Sequence, residues 1–251
     1  RQLAEAHQQL DREFRRVGEI QRTLLPPRLP DIPGVSIATS YRPAARAGGD
    51  YYDFFELSEG RWGILIADVS GHGPPAAVVM AMLRTMLHTH CTGCFGAGET
   101  LETMNNSLMR QPHVDMGMFV TAFYGIYDPR DRSLTYASAG HNPPLLVGTD
   151  LQVTELDRVQ QLPLAVTEDT RYPEHRTKLA RGDKLIFYTD GITEFRNAEG
   201  EFYGRERLLS CVREEVRFAQ EIVDCVNGKL AAFATGRPIA DDQTIVALVI
   251  Q

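Results

Sequence analysis

The feature that most constrains this chain is a recurring pattern in which an apolar, strand-like segment meets an aspartate. "GILIA" runs into Asp68 and the turn "SGHG", and "KLIFYT" runs into Asp190 and a glycine. Asp50 follows two glycines and opens "YYDFF", and "TIVALVI" comes soon after Asp241 and Asp242. Each pattern places a carboxylate at the end of a strand, beside backbone that permits close approach. The fold must therefore accommodate several acidic strand ends.

These carboxylates raise a problem of charge if their strand ends converge. Mutual repulsion would force some of them to be protonated. A hard divalent cation removes the conflict, and ligation by oxygen alone points to Mg²⁺ or Mn²⁺ rather than zinc. Because aspartate–glycine junctions also form ordinary turns, the pattern alone leaves two alternatives, a metal site and a set of unrelated turns.

The order of the predicted elements indicates the fold class. Strands are predicted at "VSIATSY", "YYDFFEL", "WGILIADV", "MFVTAFYGIYD", "SLTYASAG", "PPLLVG", "DKLIFYTDG" and the C-terminal "DDQTIVALVI", with a hairpin at "DPRDR". Helices are predicted at "PPAAVVMAMLRTMLHTH" and over residues 98–110, 204–217 and 219–233. Runs of strands with pairs of helices between them favour a layered α+β architecture over a doubly wound parallel sheet.

The first 25 residues form a predicted helix of their own. Leu3, Leu10, Val17 and Leu24 recur every seven residues, which is typical of a short, imperfect coiled-coil seam. The alternative is an amphipathic helix folded onto its own domain. The proline-rich stretch "PPRLPDIPG" ends the helix. We therefore predict a helical linker over residues 1–27 and a domain over residues 28–251.

Composition limits the partners and the cellular compartment that are expected for this chain. The net charge of −7, with no dominant basic patch, argues against a nucleic-acid partner. Four scattered cysteines suit a reducing cytosol better than a disulfide framework, so a cytoplasmic location is expected. No apolar run approaches the ~18 residues that a membrane helix needs. Because the chain does not begin with methionine, we interpret it as a fragment of a longer protein.

Five motifs, in order, resemble one family. "GGDYYDFF", "ADVSGHG", "SAGHNPPLL", "YTDGITE" and "DDQTIVALVI" closely resemble the SpoIIE/RsbU branch of metal-dependent serine/threonine protein phosphatases, within the protein phosphatase 2C (PP2C) superfamily. The preceding "EIQRTLLPP" is similar to the usual entry into that domain. The resemblance covers about residues 17–251, nearly the whole chain.

The resemblance implies a fold and a reaction. The fold is a four-layer α-β-β-α sandwich of two antiparallel sheets flanked by helix pairs, with two Mn²⁺ or Mg²⁺ ions between the sheets. Asp68 would bridge both ions, helped by the backbone carbonyl of Val69. Asp50 would bind one ion and Asp190 the other, so these three aspartates would carry catalysis. A water between the metals would attack phosphorus in line, without a phosphoenzyme.

Some positions are not settled by the resemblance. The last metal ligand is Asp241 by alignment with the wider superfamily, but the adjacent Asp242 makes that assignment ambiguous. Arg46, four residues before Asp50, is a candidate clamp for the substrate phosphate, or a solvated loop arginine. His72 is a candidate proton donor, or a residue that orients the Asp68 loop. His141 is expected to brace a loop near the site.

Two further patterns are interpreted structurally. "HTHCTGC", residues 88–94, contains histidines and cysteines that could bind zinc, but no second CxxC pair accompanies them. The segment is instead predicted to be a fraying helix end. Val78, Met82 and Met86 lie at helical spacing and are predicted to be core.

The resemblance also implies a substrate and partners. The substrate would be a phosphorylated anti-sigma-factor antagonist in a bacterial partner-switching pathway. The N-terminal helix would connect to an upstream sensor or receiver domain and support a homodimer. The alternative function is a catalytically silent phosphatase-fold module that acts as a regulatory scaffold. A histidine-kinase ATPase domain is disfavoured, because the glycine spacing in "DVSGHG" does not suit its nucleotide box.

Overall fold

The computed structural model of the chain describes residues 2–90, 96–111 and 117–251, apart from the side chains of residues 2–8, 10 and 90. The helices are α1 (Gln2–Arg22), α2 (Pro74–His90), α3 (Ala97–Met109), α4 (Asp190–Thr193), α5 (Gly204–Val212) and α6 (Ala219–Ala234). The strands are β1 (Val35–Arg42), β2 (Tyr51–Glu56), β3 (Trp62–Val69), β4 (Val120–Asp128), β5 (Ser133–Ala139), β6 (Leu145–Val147), β7 (Val153–Glu155), β8 (Gln160–Gln161), β9 (His175–Lys178), β10 (Lys184–Tyr188) and β11 (Gln243–Ile250). No helix of these ranges is long and apolar enough to cross a membrane.

The strands form two sheets. One sheet has the order β1-β11-β10-β6-β7, and the other has the order β2-β3-β4-β5-β8, with β9 also paired to β5. Their ladders are antiparallel except for the short one between β5 and β8. The rings of Phe123 on β4 and Phe187 on β10 meet edge to face, with centroids 5.7 Å apart. Both rings are fully buried, so the inner faces of the two sheets share one core.

Helices cover the outer face of each sheet. α2 and α3 pack on β3, β4 and β5, while α6 packs on β1 and β11 and α5 packs on α6. A second cluster of buried apolar side chains fills the space between the first sheet and these last two helices. The predicted four-layer α+β sandwich is confirmed. β11 lies between two other strands and has all eight residues buried, which explains its continuous apolar sequence.

α5 ends earlier than the sequence predicts. The helix was expected over residues 204–217, but it ends at Val212. Lys184, on the neighbouring β10, is only 3% exposed. Its ammonium group donates a hydrogen bond to the Val212 carbonyl at 3.0 Å and another to the Glu214 carbonyl. The buried cation thus satisfies carbonyl groups that a continuing helix would have used.

α1 is attached to the rest of the fold. The buried Gln21 side chain donates a hydrogen bond to the Gly48 carbonyl at 2.8 Å and accepts one from the Gly48 amide at 3.0 Å. A Cβ on Gly18 would lie 1.6 Å from the Arg46 carbonyl oxygen, so only glycine permits this approach. The boundary at residue 27 stays a prediction. The seam is described only at Val17 and Leu24, both half-buried, because the side chains of its first two positions lie outside the described residues.

The prediction that Val78, Met82 and Met86 are core is wrong for Val78, whereas Met86 packs against the core. Val78 is 58% exposed, and Met82 and Met86 are only partly buried. These side chains line an open apolar groove of about 490 Å³ between α2 and α1, and Ile20 of α1 lines the same groove at 65% exposure. Helical spacing identifies an apolar face, but it does not determine whether another element covers that face.

Candidate active site

The pairing of β2 with β3 brings two of the predicted aspartates together. Tyr51 lies opposite Ala67 in this antiparallel ladder, so Asp50 and Asp68 lie side by side at its end. Asp50 is only 1% exposed. It accepts hydrogen bonds from the hydroxyl groups of two threonines at 2.8 and 2.5 Å, namely Thr189 and Thr244. Thr244 lies in β11 of the other sheet and Thr189 directly follows β10 of that sheet, so Asp50 connects the two sheets.

The pairing of β10 with β11 brings the other acidic strand ends together. Tyr188 lies opposite Ile245. Asp190 follows this end of β10 after Thr189, and Asp241 comes shortly before β11. Asp190 is half-buried and Asp241 is exposed. Both line one cavity of about 310 Å³ between the two sheets. The lining residues of that cavity are Asp68, Val69, Ser70, Gly71, His72, Phe119, Thr121, Asp190, Ala240 and Asp241.

The electrostatics of this cavity favour a cation. Burial raises the pKa of Asp68 to about 8, and the nearby charges of Asp190, Asp241 and Asp242 act in the same direction. Burial, and next the charge of Asp68, raises the pKa of Asp50 well above its usual range. Burial also raises the pKa of Asp190 and of Asp241. Four carboxyl groups therefore share a region that tolerates their combined negative charge poorly.

Asp242 plays a different part from its neighbour. It is 3% exposed, and its two carboxylate oxygens accept hydrogen bonds from the amides of Ala44 at 2.8 Å and Gly49 at 2.6 Å. Asp241 lines the cavity and Asp242 does not. The contacts favour Asp241 as the candidate ligand and Asp242 as the residue that holds the loop before Asp50.

Glycines permit close approach at two points of the site. A Cβ on Gly49 would lie 2.7 Å from the Val69 carbonyl oxygen, and one on Gly191 would lie 2.0 Å from the Asp242 carbonyl oxygen. Real Cβ atoms do not approach oxygen so closely, so larger residues would push the acidic segments apart. The Val69 carbonyl thus lies beside the loop that carries Asp50, consistent with its predicted role.

Arg46, the candidate phosphate clamp, forms an ion pair outside the cavity that contains Asp68. The guanidinium of Arg46 donates hydrogen bonds to both carboxylate oxygens of Asp11 on α1, at 3.0 and 3.3 Å. Arg46 does not line the cavity that contains Asp68. A clamping role would require this ion pair to open, so that role stays a prediction.

His72 stands at the rim of the cavity. Its side chain is exposed, and its charge acts to lower the pKa of Asp241. The turn after Asp68 is held by another residue, because Ser70 and Phe119 exchange two hydrogen bonds of 2.9 and 3.0 Å. Gly71 and Gly73 have φ values of 89° and 79°, which favour glycine. A direct role for His72 toward substrate stays a prediction.

His141 is buried behind the cavity. Its Nδ1 atom lies 2.8 Å from the hydroxyl oxygen of Thr121, which lines the cavity and pairs with Asp68 across the β3–β4 ladder. Burial lowers the pKa of His141 to about 4, against the opposing effect of the Tyr188 backbone. The imidazole is therefore neutral at pH 7 and positions Thr121. Sequence patterns did not identify Thr121, Thr189 or Thr244, since single threonines in or beside strands carry no distinctive signal.

Only part of the "HTHCTGC" segment, for which zinc binding was considered, lies among the described residues. His88 lies 2.9 Å from Asp53, through its Nε2 atom and the Oδ2 atom of the carboxylate. The side chain of His90, together with Cys91 and Cys94, lies outside the described residues. The predicted fraying of the helix end also falls there.

The residues of the cavity fit a hard divalent cation. Every candidate donor is an oxygen atom, from carboxylates or from the Val69 carbonyl, and this donor set suits Mg²⁺ or Mn²⁺. Among the described residues, no three acidic, histidine or cysteine side chains form a ready-made metal-binding group. The carboxylates of Asp68, Asp190 and Asp241 line the cavity instead.

The fold and the cavity together define a class of protein. The structure of the SiaA-PP2C domain of Pseudomonas aeruginosa has the same fold, with a TM-score of 0.87, 21% sequence identity and coverage of 99% of this chain and 100% of that chain. RsbX, solved in complex with magnesium, is similar with a TM-score of 0.68 and 15% identity, over 89% of this chain and 99% of that chain. The chain thus has the fold of PP2C-type domains.

Sequence comparison identifies the family within that class. The family model of Stage II sporulation protein E (SpoIIE) matches residues 58–251, and the chain belongs to this family. It is 30% identical to the phosphoserine phosphatase RsbU of Bacillus subtilis over 96% of this chain and 71% of RsbU. The chain spans between 36% and 71% of the length of four curated relatives that it matches. The resemblance stated from the five motifs is confirmed.

Proposed function

We propose that this domain hydrolyses phosphoserine or phosphothreonine on a protein substrate with the help of two divalent cations, Mn²⁺ or Mg²⁺. The observation that carries the proposal is the arrangement of Asp50, Asp68, Asp190 and Asp241. These residues come from four separate segments, yet they surround or directly adjoin one cavity between the sheets. A scaffold without activity has no need for such a costly collection of carboxylates.

Each residue has a distinct task in this proposal. Asp68 would bridge the ions, Asp50 and the Val69 carbonyl would hold one of them, and Asp190 with Asp241 would hold the other. When bound, the cations neutralise the carboxylates, polarise the phosphoryl group and lower the pKa of water. Thr189 and Thr244 keep Asp50 oriented by their hydrogen bonds.

The assay that tests the proposal measures phosphate release from phosphoserine and phosphothreonine peptides. We expect turnover with Mn²⁺ and its loss on addition of excess chelator, because each proposed ligand is an oxygen atom that binds hard cations. Restoration by Mn²⁺ after dialysis serves as the control for irreversible damage. Binding of phosphopeptides without turnover at any tested concentration of Mn²⁺ or Mg²⁺ would instead support the silent scaffold.

The proposed biological substrate is a phosphorylated anti-sigma-factor antagonist in a partner-switching pathway. Support comes from the family and from the likeness to RsbU, which is named as a phosphoserine phosphatase. The proposed partner in the same chain is an upstream sensor or receiver domain joined through α1. Gln21 and the Arg46–Asp11 ion pair connect α1 to the loop that leads to Asp50. A movement of α1 would therefore displace this loop.

We also propose that α1 forms a weak homodimer. The groove between α1 and α2 exposes Ile20 and Val78, and a second copy of the helix continues the heptad seam onto this surface. Sedimentation velocity is expected to show a sedimentation coefficient that increases with concentration. Ile20→Asp should abolish that increase, whereas Arg16→Ala, on an exposed residue of the same helix, should preserve it. Monomers alone at high concentration would contradict the dimer.

A further inference from the structure

A second cavity adjoins the proposed metal site. It measures about 230 Å³ and shares two wall residues, Ala240 and Asp241, with the cavity that contains Asp68. Its remaining lining residues are Gly191, Glu194, Phe195, Arg196 and Arg237. We call it the arginine pocket. A peptide whose phosphorylated residue occupies the first cavity would have a neighbouring side chain within reach of the second.

The two arginines of this pocket are held in place by uncharged groups. Arg237 donates a hydrogen bond through Nη1 to the Asn197 carbonyl at 2.5 Å. Arg196 donates through Nη1 to the Gly200 carbonyl at 3.3 Å and lies over the Phe202 ring, 3.9 Å from its centroid. In the described part of the chain, neither guanidinium forms an ion pair with a carboxylate.

This arrangement differs from that of the predicted clamp. Arg46 is neutralised by Asp11, whereas Arg196 and Arg237 are exposed and keep nitrogen donors beyond the single Nη1 atom that each commits to a carbonyl. Glu194 is the one carboxylate of the pocket that is not a proposed metal ligand. Its negative charge also raises the pKa of Asp190, after the larger effect of burial. Once the proposed cations neutralise Asp241, the two guanidinium groups outweigh Glu194. The pocket offers a local positive region on a chain whose net charge is −7, which is a basis for selecting an anionic group.

We propose that the arginine pocket binds an acidic side chain of the phosphoprotein, close in sequence to the phosphorylated residue. The proposal rests on the proposed phosphatase function. Neither Arg196 nor Arg237 lines the cavity that contains Asp68, so the guanidinium groups are placed for a neighbouring group and not for the phosphoryl group itself. Guanidinium pairs carboxylate with two parallel hydrogen bonds. The pocket thus makes the domain selective for acidic phosphorylation sites.

A double-mutant cycle between enzyme and peptide tests this proposal. Phosphoserine peptides that carry glutamate at positions near the phosphoserine are compared with otherwise identical glutamine peptides, with Mn²⁺ present. The enzyme variants are Arg196→Gln and Arg237→Gln, in which the side-chain amide keeps a donor for the carbonyl contacts. Arg181→Gln, on an exposed turn outside both cavities, is the matched control.

We expect the wild type and the control to prefer a glutamate peptide by about tenfold in kcat/KM, chiefly through KM, since two charged hydrogen bonds supply this much. Each variant should reduce the preference, and the double variant should remove it. Equal kcat/KM for both peptides with the wild type would overturn the proposal. An equal loss on both peptides would overturn it too, because the arginines would then bind the phosphoryl group or support the fold. Absence of phosphate release by the wild type would reject the phosphatase function itself.

Discussion

Asp68→Asn is expected to abolish Mn²⁺-dependent phosphate release while the protein stays folded. Asp68 is proposed to bridge both cations, so its loss removes a ligand from each. We expect turnover to fall by about 10³-fold, equivalent to about 4 kcal/mol of transition-state stabilisation. Asp31→Asn, on an exposed loop residue, is the matched control and should retain wild-type turnover. Substantial Mn²⁺-dependent activity in Asp68→Asn would show that the bridge is assigned to the wrong residue.

The same substitution should change how stability depends on pH in the presence of chelator. Burial raises the pKa of Asp68 to about 8, above the value of about 4 for an unfolded aspartate. Folding therefore takes up a proton between these two pH values, and the free energy of unfolding decreases as pH rises, by up to about 1.4 kcal/mol per pH unit. Denaturant titrations from pH 5 to pH 8 should show this decrease in the wild type. In Asp68→Asn the decrease should be smaller.

The second large effect separates Asp241 from Asp242. Asp242→Ala leaves the buried amide of Gly49 and the half-buried amide of Ala44 without their acceptors, so we expect a loss of about 3 kcal/mol in the free energy of unfolding. Asp241→Ala removes an exposed carboxylate that accepts one hydrogen bond, from the Asp242 amide at 2.9 Å. Its cost in stability should be about 1 kcal/mol or less, while its affinity for Mn²⁺ should fall steeply.

Denaturant titration in chelator and calorimetric titration with Mn²⁺ distinguish these two variants. Asp242→Ala is also expected to weaken metal binding, because the loop that it holds carries Asp50. Stability without metal is therefore the discriminating measurement. A pair in which Asp241→Ala is the strongly destabilised variant, or in which Asp241→Ala binds Mn²⁺ as the wild type does, would contradict the assignment.

The sequence predicts much of this fold because its signals are local. An apolar segment that ends in aspartate and glycine marks a strand end, and each of the four ends lies where the pattern indicates. The hairpin at "DPRDR" likewise joins β4 to β5 in the antiparallel register expected of it. The resemblance to the family then supplied the convergence of the carboxylates, which no single segment encodes.

Other features depend on contacts between distant residues. Asp241 and Asp242 are alike in sequence, and they differ because the second meets an amide 198 residues away in the chain. Arg46 has the side chain and the sequence position expected of a phosphate clamp, but it is paired with Asp11, which lies 35 residues away in the chain. The apolar face of Val78 is evident from its spacing, yet whether it is covered depends on the path of α1. In each case the deciding partner lies outside any local pattern.

Diffraction from crystals soaked in manganese tests most directly whether these aspartates meet around two cations. Data recorded at the manganese absorption edge should show two anomalous peaks in the cavity, with Asp68 touching both. Asp50 should lie beside one peak, and Asp190 and Asp241 beside the other. Manganese bound at a different surface, or a cavity without anomalous signal at concentrations that support turnover, would contradict the account.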